Sequence, residues 1–319
     1  MIKIENEDLL VEFNLYGAAI TKLFVKKVNR NVVYFYDDTN LYKNNPLALG
    51  CTIGRVSGRI KDAIVKVQNN NYQLIKNDFN KNNLHGNNFL TKRLFEIHSQ
   101  SDDEITFITK VNHLEDNLPG EQIIYVKYFL QNNKLHLTFK SSSKDISYLN
   151  LTNHSYFNLN LNKYETILDH ELKVNSNRYI KLTNDLLPFE ITNVDNIFDF
   201  STLKPIGKDI NKNHEQLKIA GGYDHPFIVG DGNNINHIVK LKVSDLTLNV
   251  YSNTEAVVIY SGNRIPNDYY INNKKMVKHG SIAIEPQGIP NNQVFEEHKN
   301  KNIYSKDNEL KQEIIYEFI

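Results

Sequence analysis

The stretch Leu135-His136-Leu137-Thr138-Phe139-Lys140 alternates apolar and polar side chains with a period of two. Successive side chains of a β-strand point to opposite faces of the sheet, so this alternation predicts a strand with one buried face. The same period recurs in residues 63–68 and 246–251. Turn-forming residues such as Gly230-Asp231-Gly232-Asn233-Asn234 separate such stretches, because Gly, Asn and Asp tolerate the backbone angles of tight turns. The pattern predicts an all-β chain.

Signals for helices and for domain boundaries are both sparse. No long segment repeats apolar residues at helical spacing, and no alternation of strands with helices suggests a parallel, doubly wound sheet. No linker rich in Pro, Ser or Gly divides the chain, and no repeat of solenoid or propeller length is present. We therefore expect a single domain over residues 1–319.

The composition excludes several partners. The 319 residues carry 37 basic and 37 acidic side chains, so the formal net charge is zero. No run of Lys and Arg forms a stripe that could follow a phosphate backbone, and nucleic acid is not an expected partner. A hydrophobic content of 40% is enough for a sizeable core.

Cysteine usage and the N-terminus indicate the compartment. Cys51 is the single cysteine, which excludes an intramolecular disulfide framework and a cysteine-based zinc cluster, and we expect it to be a buried apolar residue. The N-terminus is acidic where a secretory signal is basic and apolar, and no apolar run reaches the ~20 residues of a membrane helix. We expect no membrane partner and a cytoplasmic location.

Two ionisable residues stand out in strand-like surroundings. His154 lies among polar neighbours in the stretch Thr152-Asn153-His154-Ser155-Tyr156-Phe157-Asn158. Glu285 follows a short apolar run and precedes Pro286, which cannot donate a hydrogen bond to a sheet. A histidine and a carboxylate at separate strand ends suit proton transfer at two atoms of one small substrate.

Five stretches, in this order along the chain, resemble the aldose 1-epimerase (galactose mutarotase) family, whose members interconvert the α and β anomers of free sugars. The stretches are Gly54-Arg55-Val56-Ser57-Gly58-Arg59-Ile60, Asn83-Leu84-His85-Gly86, Leu151-Thr152-Asn153-His154-Ser155-Tyr156-Phe157-Asn158-Leu159, Gly221-Gly222-Tyr223-Asp224-His225 and Ile284-Glu285-Pro286-Gln287. The resemblance implies a large antiparallel super-sandwich with few short helices and a sugar cleft on one concave sheet. It also implies epimerisation of free aldohexoses such as galactose and glucose, by a monomer or homodimer.

The resemblance assigns roles to five residues. Glu285 is the base that takes the proton of the anomeric hydroxyl, and His154 is the acid that protonates the ring oxygen. His85, Arg59 and Asp224 bind the sugar hydroxyls. Acid–base groups alone suffice for this ring opening, so we expect no cofactor and no metal.

The sequence leaves three points about the cleft open. Arg55 competes with Arg59 for the sugar-binding role, because positions 55 and 59 share a face at strand periodicity. The resemblance departs from the usual family pattern in two places. Gly58 stands where many relatives carry asparagine, and the segment at residues 288–292 stands where many relatives carry a segment with a proline-aspartate pair. These departures leave the preferred sugar undetermined, since an absent amide removes donors and an acceptor from the cleft.

Other functions have weaker support in the sequence. A hexose-phosphate epimerase would need more cations than Arg55, Arg59 and Arg93 supply. A catalytically silent sugar-binding β-sandwich would not need both His154 and Glu285. The zinc-binding pattern His-Glu-x-x-His and the glycine-rich nucleotide-binding patterns are absent from the sequence.

Overall fold

Two large β-sheets dominate the computed structural model, which describes residues 2–143, 145–161 and 166–319. Within these residues one sheet has six strands and the other has nine. In spatial order, the six-stranded sheet consists of Tyr156–Phe157, Ile282–Gln287, Ala256–Tyr260, Asp224–Ile228, Arg178–Leu182 and Pro188–Asn193. The nine-stranded sheet consists of Glu96–Gln100, Glu104–Val111, Gln122–Gln131, Lys134–Ser142, Leu310–Phe318, Thr247–Ser252, Asn236–Lys242, Glu171–Val174 and Lys204–Pro205. Neighbouring strands in both sheets run antiparallel.

Smaller elements surround the two sheets. An N-terminal sheet is formed by Ile2–Glu5, Leu9–Asn14, Ala19–Val25 and Arg30–Asn31. Two-stranded pairs are formed by Thr52–Ile53 with Thr152–Asn153, Arg59–Ile60 with Asn83–Leu84, Ile64–Val67 with Asn70–Gln73, Ser147–Tyr148 with Ile303–Tyr304, and Tyr270–Ile271 with Lys274–Lys275. The α-helix in the described ranges is Glu215–Ala220, and the 3₁₀ turns are Lys26–Val28, Thr39–Lys43, Lys61–Ala63, His85–Asn88, Ile206–Lys208 and Asn292–Val294.

The alternation in residues 135–140 determines which face of a central strand is buried. Leu135, Leu137 and Phe139 are fully buried, whereas the intervening His136, Thr138 and Lys140 are not. The other two periodic stretches also form strands, Ile64–Val67 and Thr247–Ser252. The predicted all-β fold with few short helices is confirmed.

The two large sheets face each other across a shared hydrophobic core. Phe157 of the six-stranded sheet packs on Tyr316 of the nine-stranded sheet, with 5.3 Å between ring centroids. Burying each such large apolar side chain contributes about 1.5–3 kcal/mol. Because one core cluster contains residues from Ile4 to Phe318, we propose that the chain folds as a single domain.

Arg55 is buried against residues 116–120, which accept most of its hydrogen bonds. Its side chain is fully buried, its Nε donates to Asp116 Oδ2 at 2.8 Å, and its Nη2 also contacts that carboxylate. The remaining donors reach the backbone oxygens of Leu118, Pro119 and Gly120. The expectation that residues 55 and 59 share a strand face is wrong, because residues 54–58 lie outside any strand. Arg59 alone of the two lines the cleft described below.

Replacing Arg55 with leucine is expected to lower the free energy of unfolding by about 3–5 kcal/mol, because it leaves the Asp116 carboxylate buried without its charge partner. Urea denaturation measures this loss. Lys127→Met is the control, since the Lys127–Glu104 pair is partly exposed at the surface and surface pairs contribute about 0–1 kcal/mol. Equal losses for the two variants would contradict the structural role of Arg55.

Candidate active site

A cleft of about 330 Å³ lies on the face of the six-stranded sheet that points away from the shared core. Strand register sets its floor: Glu285 pairs with Val258, which pairs with Pro226, and all three line the cleft. Two residues further along their strands, Tyr260 and Asp224 form a second row on the same face. The volume is at the lower end of small-molecule sites, so the cleft suits one small ligand.

His154 and Glu285 both line this cleft and contact each other. Their Nε2 and Oε1 atoms are 3.3 Å apart, and both side chains are buried. The backbone of His154 is held on both sides, since its N–H donates to Cys51 O at 2.9 Å and its carbonyl accepts from Gly50 N–H at 3.0 Å. The structure thus brings together the two residues predicted to be catalytic.

The central strand that carries Glu285 also accommodates Pro286, which has no backbone N–H. The backbone N–H and C=O of one strand residue point to the same side, and the Pro286 carbonyl accepts from Thr152 Oγ1 at 2.9 Å and from Gln312 Nε2 at 3.1 Å. The neighbouring strand Tyr156–Phe157 pairs with this strand at Ile282 and Ala283, before Pro286. The missing N–H of Pro286 therefore lies where no strand would accept it.

His85 faces His154 across the cleft. The two imidazole rings are nearly perpendicular, with centroids 5.5 Å apart. His85 Nδ1 accepts a hydrogen bond from Gly58 N–H at 3.2 Å, so the proton of neutral His85 is on Nε2. A Cβ atom at Gly86, whose φ is +57°, would lie 3.2 Å from Gly54 O, so the turn favours glycine there.

Arg59 lies between two carboxylates. Its Nε donates to Asp78 Oδ2 at 3.1 Å, and its Nη1 is 3.9 Å from Asp224 Oδ2. Arg59 and Asp224, two of the three residues predicted to bind the sugar, therefore line the cleft side by side. Asp78 was missed by the sequence analysis, because it lies in a stretch rich in Asn and Lys with no motif around it.

Burial shifts the pKa of both central residues toward their neutral forms. Burial raises the pKa of Glu285 well above its usual range, the negative charge of Asp224 adds to this shift, and Arg59 opposes it. Burial lowers the pKa of His154 to about 4. Both shifts favour the neutral form of each group, and because the two groups are in contact their titrations are properties of the pair.

The flanking groups are shifted in the same sense. Burial raises the pKa of Asp224 to about 6, against the opposing effects of Arg59 and Arg264. Burial lowers the pKa of His85 well below its usual range, and His154 and Arg59 add to this effect. A neutral His85 with its proton on Nε2 can donate a hydrogen bond to a substrate oxygen.

Other cleft residues were not predicted, although strand alternation points to two of them. Tyr156 is two residues after His154, and its ring centroid is 4.8 Å from that of His154. Gln287 is two residues after Glu285 on the same strand face. Arg264 lies exposed at the rim and follows a strand, where no alternation identifies it.

The two departures from the usual family pattern contact each other. A Cβ atom at Gly58, whose φ is +71°, would lie 2.6 Å from Cβ of Pro290. A side chain at position 58 would therefore displace Pro290, which lines the same end of the cleft. Gly58 and Pro290 therefore fit together at this end of the cleft.

Two further observations concern ions and membranes. Within residues 2–143, 145–161 and 166–319, no group of three or more His, Cys, Asp or Glu side chains is arranged to hold a metal ion. In the same ranges, no helix has the length and apolar character needed to cross a membrane.

Comparison with known proteins identifies the family. The chain is 29% identical to the aldose 1-epimerase of Haemophilus influenzae over 300 residues, which cover 91% of this chain and 86% of that protein. It is 28% identical to the galactose mutarotase of Pongo abelii over 297 residues, 90% of this chain and 85% of that protein. Its fold is similar to the crystal structure of galactose 1-epimerase from Lactobacillus acidophilus, with a TM-score of 0.88 and 26% identity over 99% of this chain and 93% of that one. The family model of aldose 1-epimerase matches residues 1–317, and the chain belongs to that family.

Proposed function

We propose that this chain is an aldose 1-epimerase that interconverts the α and β anomers of free aldohexoses such as galactose and glucose. The observation that carries the proposal is the 3.3 Å contact between Glu285 and His154 in a cleft of sugar size. Ring opening needs one group that accepts the anomeric proton and another that donates a proton to the ring oxygen. The pair supplies both groups without a metal or cofactor.

In the proposed reaction, the productive form of the pair has its proton on His154 and a negative charge on Glu285. Glu285 accepts the proton of the anomeric hydroxyl, the bond between C1 and the ring oxygen breaks, and C1 becomes a carbonyl. His154 donates its proton to the departing ring oxygen. After rotation about C1–C2, that oxygen attacks the other face of the carbonyl and both protons return, so the pair is restored.

The neighbours of the pair support binding and charge stabilisation in this scheme. Arg59 presents donors beside Asp224, and a guanidinium favours the negative charge that develops at the anomeric oxygen. Asp224 accepts hydrogen bonds from sugar hydroxyls, and His85 donates from Nε2.

The charges of the cleft favour a free sugar over a sugar phosphate. Three carboxyl groups, those of Asp78, Asp224 and Glu285, line the cleft, and a phosphate dianion would meet them at short range. Arg59 is already engaged by two of them. Arg55 and Arg93 pair with Asp116 and Glu115 away from the cleft-lining residues. Arg59 and Arg264 are the two arginines that line the cleft, against three carboxyl groups.

Polarimetry of freshly dissolved α-D-glucose and α-D-galactose tests the proposed activity. The purified protein is expected to speed relaxation to the equilibrium rotation well beyond the uncatalysed rate. A folded His154→Asn variant at equal concentration is the control, because it retains the cleft but lacks the acid. Unchanged relaxation for both sugars, together with sugar binding, would instead identify a silent sugar-binding protein.

Glu285→Gln is expected to lower kcat by about 10²–10⁴-fold while raising thermal stability. The sign follows from the raised pKa: the folded state holds the Glu285 proton more tightly, so ionisation destabilises it once pH exceeds the unfolded value of about 4.3. The stability gain should therefore be absent at low pH and grow as pH rises toward the folded pKa.

Unfolding transitions over a pH series measure this gain. Glu255→Gln is the matched control, because that carboxylate is also buried but contacts His298 at 3.1 Å and Lys301 at 3.7 Å. Its loss should destabilise the protein and leave kcat unchanged. A Glu285→Gln protein that is less stable at neutral pH than wild type would contradict the assigned pKa direction.

A bell-shaped dependence of kcat/KM on pH is expected, since activity needs one proton on the pair. Activity falls in acid as a second proton binds and falls in alkali as the last proton leaves. The charge of Asp224 raises the pKa of Glu285, so Asp224→Asn should move the alkaline limb to lower pH. Arg59 lowers that pKa, so Arg59→Gln should move the limb to higher pH. An alkaline limb that moves in the same direction in both variants would contradict the assigned effects of these two charges on the pair.

A further inference from the structure

The amide of Gln287 lies in the cleft with its hydrogen-bonding capacity unused. The side chain is fully buried, and neither Oε1 nor Nε2 has a partner in the part of the chain that the structure describes. Leaving a buried polar group unpaired costs about 1–3 kcal/mol per group. A ligand that forms hydrogen bonds with this amide when it is bound would remove that cost.

The surroundings of Gln287 explain why the protein does not satisfy this amide. Its neighbour in register is Ala256, which belongs to an apolar cluster with Ile180 and Ile289. Pro290, which also lines this end of the cleft, has no N–H to donate. The amide is therefore the hydrogen-bonding side chain that this end of the sheet face presents to a ligand.

Position along the strand relates Gln287 to the reacting centre. Glu285 and Gln287 are two residues apart on one strand, a spacing of about 6.6 Å, and both face the cleft. The row that contains Asp224 and Tyr260 lies on the opposite side of Glu285. A sugar whose anomeric oxygen contacts Glu285 thus has polar partners in both directions along the strands.

Gln287 differs from the other unpaired buried polar groups. Among the described residues that carry such atoms, His154 and Gln287 are the ones that line the cleft. His154 already contacts Glu285 through Nε2, whereas both ends of the Gln287 amide are unused. The remaining unpaired atoms, including Nε2 of Gln122, belong to residues outside the cleft lining.

We propose that Gln287 binds the sugar substrate by a pair of neighbouring ring hydroxyls, one donating to Oε1 and the other accepting from Nε2. This inference rests on the proposed function, since it gives the same cleft a further sugar contact. Adjacent hydroxyls on a pyranose match an amide because each hydroxyl both donates and accepts. Gln287 is a substrate-binding residue in this scheme, and it takes no part in proton transfer.

The test compares wild type with Gln287→Met, which keeps the length of the side chain and removes the amide. KM for glucose should rise about 10-fold or more, kcat should change little, and thermal stability should be equal or higher because an unpaired buried amide has been removed. Gln122→Met is the matched control: its amide is also buried with an unpaired Nε2, but it lies in the nine-stranded sheet, so KM should not change.

The series of 2-, 3-, 4- and 6-deoxyglucose then locates the contact. Wild type should discriminate against the sugars that lack a contacted hydroxyl, and Gln287→Met should lose that discrimination for those sugars alone. If Gln287→Met does not fold, Gln287→Leu undergoes the same comparison.

The outcomes separate this inference from the proposed function. An inactive wild type overturns both. An active wild type whose variant has unchanged KM overturns only the role of Gln287. A raised KM with the same penalty for every deoxy sugar also overturns it, because a merely structural effect would act on all sugars alike.

Discussion

The burial of one carboxyl group beside one imidazole is the constraint on which this structure depends. Burial disfavours both ionised Glu285 and protonated His154, and their 3.3 Å contact compensates by letting one proton serve both groups. Such an arrangement requires neighbours that do not move. The backbone hydrogen bonds of His154 and the central position of the strand Ile282–Gln287 provide that rigidity.

The same strand connects stability with the site. Ile282 and Ile284 point into the core shared by the two large sheets, while Glu285 and Gln287 point into the cleft. The apolar face contributes stability, and the polar face holds groups that are costly to bury. Alternation with a period of two therefore separates packing from chemistry within six residues. Arg55 plays a comparable part for the loop before Arg59, because its buried hydrogen bonds anchor the segment that leads to the cleft.

Much of the fold and part of the site follow from local patterns. The alternation around Leu137 requires one face to be buried, and this requirement does not depend on distant residues. Proximity of His154 to Glu285 came from the family resemblance, because no local rule relates residues so far apart in sequence. The buried position of Arg55 could not be predicted from the alternation of side chains, because the loop that contains Arg55 has no strand geometry. The shifted pKa values also had no sequence signal, because burial and neighbouring charges arise only after folding.

The contact between Gly58 and Pro290 determines which groups line one end of the cleft. Because glycine at position 58 makes room for the proline ring, this end of the cleft is closed by a group with no N–H. The side chains of the apolar cluster around Ile289 cannot form hydrogen bonds in the same region. Hydrogen bonding to a ligand at this end of the cleft then depends on a side chain of the sheet itself, and Gln287 is such a side chain. A rigid strand holds such a donor and acceptor more accurately than a loop does, so a ligand meets an amide whose orientation is already fixed relative to Glu285.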